Sequence, residues 1–310
     1  MAFAFVFPGQ GSQSVGMMQP FAESRAVRAV FEEAAEALKQ DLWKLVAEGP
    51  PDALSATVNT QPLMLTAGYA VYRAWGEAGG AEPSVVAGHS LGEYTALVAA
   101  GALAFRDALP LVRFRAQAMQ EAVPVGEGAM AAILGLEDDA VRAACQEAAQ
   151  GQVVEAVNFN APSQVVIAGH KAAVERGVAA AKAHGAKRAM MLPVSAPFHS
   201  SLLKPAAVKL ATYLEKLAVT APRIPVVNNV DVATESDPQR IKKALARQAC
   251  NPVRWVEVVR RIASRGIAHV AECGPGKVLA GMTKRIDGNL QSHALVDAQS
   301  LAQALQAVKA

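Results

Sequence analysis

The apolar run Ser84-Val85-Val86-Ala87-Gly88 passes directly into His89-Ser90-Leu91-Gly92, and this junction limits the fold more than any other feature of the chain. A short β-branched run with no polar interruption reads as a strand buried on both faces, hence as part of a parallel sheet. The Ala/Leu/Val-rich stretch after Gly92 reads as a helix. Gly-x-Ser-x-Gly between a strand and a helix is the pattern of a nucleophile elbow, whose glycines let neighbouring backbone approach while the serine Oγ projects into a pocket. A helix N-cap serine beside a glycine turn is the weaker alternative. Leu91 opens the helix, so its N–H points to where the oxygen of a carbonyl attacked by Ser90 becomes negative, which makes one half of an oxyanion hole.

A serine hydroxyl needs a base to take its proton, and the chain has six histidines. His89 sits on the tight turn and points elsewhere; His170 and His184 fall in a separate small unit described below. His269 lies in a buried strand, and His293 is near the end of the chain. His199 follows Ser195-Ala196-Pro197-Phe198, a loop where the chain returns to the larger unit, and is the preferred base. Hydrolases with this elbow place an acid between serine and histidine in chain order. Here Asp107, Asp138 and Asp139 all read as helix-start residues, so a Ser-His dyad fits better than a triad.

Residues 1 to 8 read as a first strand, ending in Phe7-Pro8-Gly9-Gln10-Gly11-Ser12-Gln13, where proline and glycines turn the backbone sharply. Residues 24 to 48 carry apolar positions at helical spacing, and Thr60 to Trp75 offers a second helix with Gln61-Pro62 at its start. From Ala129 to Val194 the pattern becomes β-α-β-β-α-β, the ferredoxin-like order. Strand and helix signals resume at Val226-Val227-Asn228 and at Ala268-His269-Val270-Ala271-Glu272. The expected fold is therefore α/β, a hydrolase-like core with a central parallel sheet and an inserted ferredoxin-like small subdomain. Residues 1–125 and 197–310 would form the large catalytic domain and 126–196 the subdomain.

Composition excludes several other readings. Lys plus Arg total 30 against 27 Asp plus Glu, a net charge of +3 over 310 residues with no basic block, so nucleic acid is not an expected partner. Apolar stretches such as Thr95 to Phe105 reach about half of the roughly 20 residues a bilayer helix needs, so no membrane span is expected. The first residues, Met-Ala-Phe-Ala-Phe-Val-Phe-Pro, lack a basic leader and read as a strand, which predicts a cytoplasmic protein. Cys145, Cys250 and Cys273 are too scattered for a metal or disulfide framework and read as reduced thiols.

Several separated motifs together resemble the malonyl-CoA:acyl carrier protein transacylase family of fatty-acid synthesis, over essentially the whole chain. They are Phe7 to Gln13, Gln61-Pro62, Gly88 to Glu93, Arg115 with Met119 to Pro124, Phe159 to Gln164, Phe198-His199-Ser200 and Gly274-Pro275-Gly276-Lys277. The resemblance implies malonyl transfer from malonyl-CoA to the phosphopantetheine thiol of acyl carrier protein, through an ester on Ser90 with His199 as base. It implies that the Gln248 carbonyl orients His199 and that the Gln10 N–H completes the oxyanion hole with that of Leu91. It assigns the malonyl carboxylate to Arg115, a choice that helical periodicity alone leaves open between Arg113 and Arg115. Gln61 and Phe198 are the remaining substrate-binding candidates, the bulk of Phe198 crowding a methyl branch on the acyl group. No cofactor beyond the thioester is expected, and the chain is expected to act as a monomer. Because carrier proteins are acidic, Lys187-Arg188, Lys204, Arg240 to Arg247 and Arg260 to Arg265 are docking candidates. A freestanding acyltransferase of a polyketide assembly line shares every one of these residues. A serine thioesterase would need a triad acid and open water access.

Overall fold

The computed structural model describes residues 1–194 and 196–309; Ser195, part of the boundary read at Ser195-Ala196-Pro197, lies outside the described residues. Among the described residues, nine strands form two sheets: β1 Phe3–Phe7, β2 Val85–Gly88, β3 Gly128–Leu134, β4 Val154–Ala161, β5 Gln164–His170, β6 Arg188–Met191, β7 Val226–Val227, β8 His269–Cys273 and β9 Gln291–Leu295. The first sheet has the order β7-β2-β1-β8-β9, and all of its pairings are parallel. Every residue of β1 is buried, because helices cover both of its faces. Phe3, Phe5 and Phe7 pack edge-on or tilted against one another, Tyr72 and Trp75 of helix Thr57–Glu77. Ala4 and Val6 join the core on the opposite face with Trp255, Val258, Val259 and Leu279. The period-2 alternation of a strand thus divides two helical layers around the sheet.

The second sheet, β4-β5-β3-β6, is antiparallel throughout. With helices Asp138–Ala149 and Lys171–Ala183 it has the ferredoxin-like strand order, and those helices share a separate core with Ile133, Val165 and Ile167. Val253, ahead of helix Trp255–Ala263, bonds to the edge of β4 while its side chain joins the core beneath the first sheet. Phe159 N–H donates to the Val253 carbonyl at 3.0 Å, and Val253 N–H to that of Val157 at 2.8 Å. The α/β, hydrolase-like architecture is as the sequence predicts.

Two helix readings need correction. The expected helix over 24–48 is two, Arg25–Leu38 and Leu42–Glu48, because Lys39 takes a left-handed φ of 52° and Asp41 caps a new start through Lys44 N–H. The helix expected from Thr60 begins earlier, at Thr57, so Pro62 sits inside it rather than at its start. The short helix Pro51–Ser55 runs into it, and Thr60 Oγ1 donates to the carbonyls of Leu54 and Ala56 across the junction.

Candidate active site

The loops leaving the carboxyl ends of β1 and β2 line a pocket of about 420 Å³, where parallel α/β sheets hold ligands. Gln10, Gln61, Ser90, Leu91, Arg115, Phe198 and His199 all line it; Gln248, the remaining residue singled out from the sequence, is wholly buried. A wider depression of about 740 Å³, bordered by Arg25, Tyr72 and Glu77, shares none of these residues.

Ser90 sits at the turn between β2 and helix Gly92–Ala99 with a φ of 51°, the strained backbone that an elbow requires. The glycines on either side are needed because there is no room for a Cβ. One built on Gly88 would lie 1.9 Å from the Gly92 carbonyl, and one on Gly92 would lie 2.1 Å from the Phe7 oxygen. Asn229, just after β7, braces the turn by accepting from Ser90 N–H at 2.7 Å and donating to the Gly88 carbonyl at 2.7 Å. Glu93 accepts from Asn229 N–H and from Gln248 Nε2, both at 2.9 Å. Its burial pushes the carboxyl up to about 7, against the opposing pull of those bonds and of Arg115. Neither Asn229 nor Glu93 was assigned a role from the sequence. A lone carboxylate in the apolar run Gly92 to Ala99 was the available signal.

His199 Nε2 lies 2.7 Å from Ser90 Oγ, and His199 Nδ1 lies 2.8 Å from the Gln248 carbonyl oxygen. A carbonyl only accepts, so Nδ1 carries the ring proton, and Nε2 is left to receive the proton of Oγ. Burial, followed by the positive charge of Arg115, lowers the imidazole to about 3, which keeps it neutral at neutral pH. Ser201, two residues on, is clamped by Glu155 of β4, which accepts from Ser201 N–H at 2.7 Å and from its Oγ at 2.8 Å.

Arg115, 2% exposed on helix Phe105–Glu121, donates to Gln61 Oε1 at 2.7 Å, Gln248 Oε1 at 2.9 Å and Ser90 Oγ at 3.1 Å. Arg113, two positions earlier on the same helix, turns away to Gln40 and the Leu38 carbonyl. Gln61 and Gln10 are joined through Thr57, whose hydroxyl accepts from Gln61 Nε2 and donates to Gln10 Oε1. Among the described residues, no protein acceptor takes the N–H of Gln10 or of Leu91. The pocket therefore brings together a nucleophile, a neutral base, two unused backbone donors and a buried cation. That set suits acyl transfer from a thioester or ester whose acyl group carries a negative charge.

Comparison with known proteins points the same way. The pattern of the acyl transferase domain matches residues 4–298. The malonyl CoA-acyl carrier protein transacylase of Escherichia coli strain K12 is 56% identical over 305 residues, covering 98% of this chain and 99% of that one. The chain belongs to the malonyl-CoA–acyl carrier protein transacylase family. Among solved structures of this transacylase family, the acyl-carrier-protein S-malonyltransferase of Burkholderia pseudomallei superposes with a TM-score of 0.98 at 69% identity, covering 99% of this chain and 100% of that one. A malonyl-transacylase in complex with its type II PKS acyl-carrier protein gives 0.98 at 52% identity, covering 99% and 100%.

Of the candidates set aside in the sequence, His89 lines the pocket but turns to Asn160, and the others lie outside the pocket. Asp107 is in the first turn of helix Phe105–Glu121, and Asp138 and Asp139 open helix Asp138–Ala149. His89 bonds Asn160 Oδ1 at 2.8 Å, His170 accepts from Val153 N–H, His184 meets Glu147, and His269 stacks on His293. Asn160, read as a turn or pocket-wall residue, thus ties the elbow to β4. Gly274 and Gly276 pack against Pro8 and Ser12, on the loop that carries Gln10.

Proposed function

We propose that this protein transfers the malonyl group of malonyl-CoA to the phosphopantetheine thiol of acyl carrier protein through a malonyl ester on Ser90. One observation carries the reading: Ser90 and His199, the latter held from behind by the buried Gln248 carbonyl, share a pocket with the buried fork of Arg115. His199 takes the Oγ proton as Oγ attacks the thioester carbon, and the N–H groups of Gln10 and Leu91 receive the oxyanion. Coenzyme A leaves with that proton. The carrier thiol then attacks the ester, and the same groups act in reverse.

In this reading Arg115 clamps the malonyl carboxylate with Gln61 orienting the guanidinium, while Phe198 walls the acyl site against a branch. The unit 126–196 closes one side of the cleft, contributing Met130 and Asn158 to the pocket. Every group named comes from one copy, in keeping with a monomer, and the reaction as written consumes no cofactor. We place it in the cytoplasm with its coenzyme A substrate; among the described residues no helix is long and apolar enough to cross a membrane. Supply of a polyketide carrier uses the same chemistry, and the relative solved with a type II PKS carrier favours testing both carriers.

Intact-mass spectrometry after mixing with malonyl-CoA tests the proposal. A malonyl increment localised to Ser90, absent in Ser90→Ala and discharged on adding carrier protein, is expected. Increments that leave at the same rate without carrier would indicate a thioesterase instead.

A further inference from the structure

The terminal amino groups of Arg115 are almost fully committed in the free protein. A guanidinium has five N–H groups. Nε is buried and meets no acceptor, and the guanidinium carbon lies 5.3 Å from the Tyr94 ring centroid. Nη1 gives one hydrogen to Gln61; Nη2 gives one to Gln248 Oε1 and one to Ser90 Oγ. Two hydrogens are uncommitted, the buried one on Nε and one on Nη1, so the Nη1–Nη2 edge offers a ligand a single free hydrogen. A carboxylate gripped by two parallel bonds needs a second, from Nη2. Of the two groups on Nη2, the Gln248 amide is fixed at its other end by the Ser90 carbonyl and Glu93, whereas Ser90 borders the pocket.

We propose that the carboxylate of the incoming acyl group displaces Ser90 Oγ from Arg115, so that the nucleophile is released only when a diacid thioester is seated. The inference rests on Ser90 being the acylated residue. In the free protein Oγ donates to His199 Nε2 and accepts from Arg115, so one of its two lone pairs is held by a cation that draws electron density away from the oxygen that must attack. Carboxylate binding withdraws that bond and neutralises a charge that opposes the His199 imidazolium. The step itself is balanced without consuming the carboxylate. The Oγ–C bond forms, the C–S bond breaks, and the Oγ proton passes through His199 Nε2 to the coenzyme A thiolate. A neutral acyl thioester meets a serine still tethered, so discrimination falls in the acylation rate as well as in binding.

The experiment supplies the carboxylate separately. Ser90 acetylation of the full chain by saturating acetyl-CoA is followed by intact mass while formate is raised, at constant ionic strength, until it halves loading from malonyl-CoA. Acetylation should rise by about tenfold, the effect of one hydrogen bond to a charged group, and the rise should vanish in Arg115→Met. A flat or falling rate overturns the release, as does a rise that persists in Arg115→Met. Formate that never competes with malonyl-CoA overturns it too, by removing the carboxylate from Arg115. Failure of malonyl-CoA itself to load Ser90 would instead overturn the functional reading.

Discussion

Ser90 and His199 both carry left-handed backbone, with φ of 51° and 66°, yet the two regions hold that strain by different means. Around Ser90 the constraint is backbone packed on backbone. Gly88, Gly92 and the end of β1 leave no space for a methyl group, and His89 N–H donates to the Phe7 carbonyl at 3.0 Å. Around His199 the constraint is a set of ties to distant residues. Gln248 holds the ring from 49 positions away, and Glu155 holds Ser201 from 46 positions away. The placement of Ser90 is thus written mainly into five consecutive residues and a neighbouring strand, with Asn229 as a distant brace, while that of His199 depends on helix Pro238–Gln248 and β4 both reaching one loop. The first arrangement should fail all at once, and the second by degrees.

The sharpest break is expected at the elbow. Gly92→Ala sets a Cβ 2.1 Å from the Phe7 oxygen, and because both partners are backbone, no side chain can move to relieve it. Either β1 separates from the helix or the serine shifts, and a displacement of about 1 Å costs on the order of a hundredfold in rate. Soluble yield and the Ser90 malonylation burst measure the loss. A variant that loads within threefold of the parent would show that backbone contact does not set the elbow.

The base side should respond more mildly. Glu155→Ala leaves Ser201 N–H and Oγ without their acceptor, so the loop carrying His199 gains freedom while the Gln248 tie remains. Acylation kcat should drop about tenfold with KM for malonyl-CoA little changed, and stability by about 1–3 kcal/mol. Glu155→Gln keeps an oxygen for the backbone N–H and should recover most of the rate. Equal losses in both variants, or a loss confined to KM, would separate Glu155 from the histidine's position.

The same contrast accounts for what could be read from the sequence. The elbow was legible because its steric demands are local: only glycines satisfy them, and the β-branched run before it is a strand signal in its own right. Most strands of both sheets were legible for the same reason, through apolar runs of strand length, but β9 was not, because Gln291, Ser292 and His293 make it largely polar. The break at Lys39 escaped because apolar spacing continues across it, and only the capping role of Asp41 divides the helix. Arg113 and Arg115 could not be told apart by periodicity, since full burial of one and half-burial of the other is decided by what the helix packs against. The Gln248 tie is made by a carbonyl, a group every residue has, so residue type carries no trace of it. Only the resemblance to a family pointed there.

The smallest effect is a pH dependence that sets the two regions against each other. The Glu93 carboxyl, ordinarily near 4.5, is raised to about 7 by burial beneath the elbow, so the folded chain holds its proton more tightly than the unfolded one. The stability this adds is complete below pH 4.5 and is lost as pH rises through about 7. His199 runs the other way, lowered from 6.5 to about 3, so its contribution is complete above pH 6.5 and is lost as pH falls towards 3. Melting temperature should therefore decline on the alkaline side through the elbow and on the acid side through the base. Glu93→Gln preserves an acceptor for Asn229 N–H and should make the fall between pH 6 and 8 smaller by about 2–4 °C. Glu272, also raised to about 7 where it accepts from Ala280 N–H, keeps part of the slope in place. Parallel curves for parent and Glu93→Gln would mean that the elbow region carries no titration of its own, and that the alkaline limb belongs to Glu272.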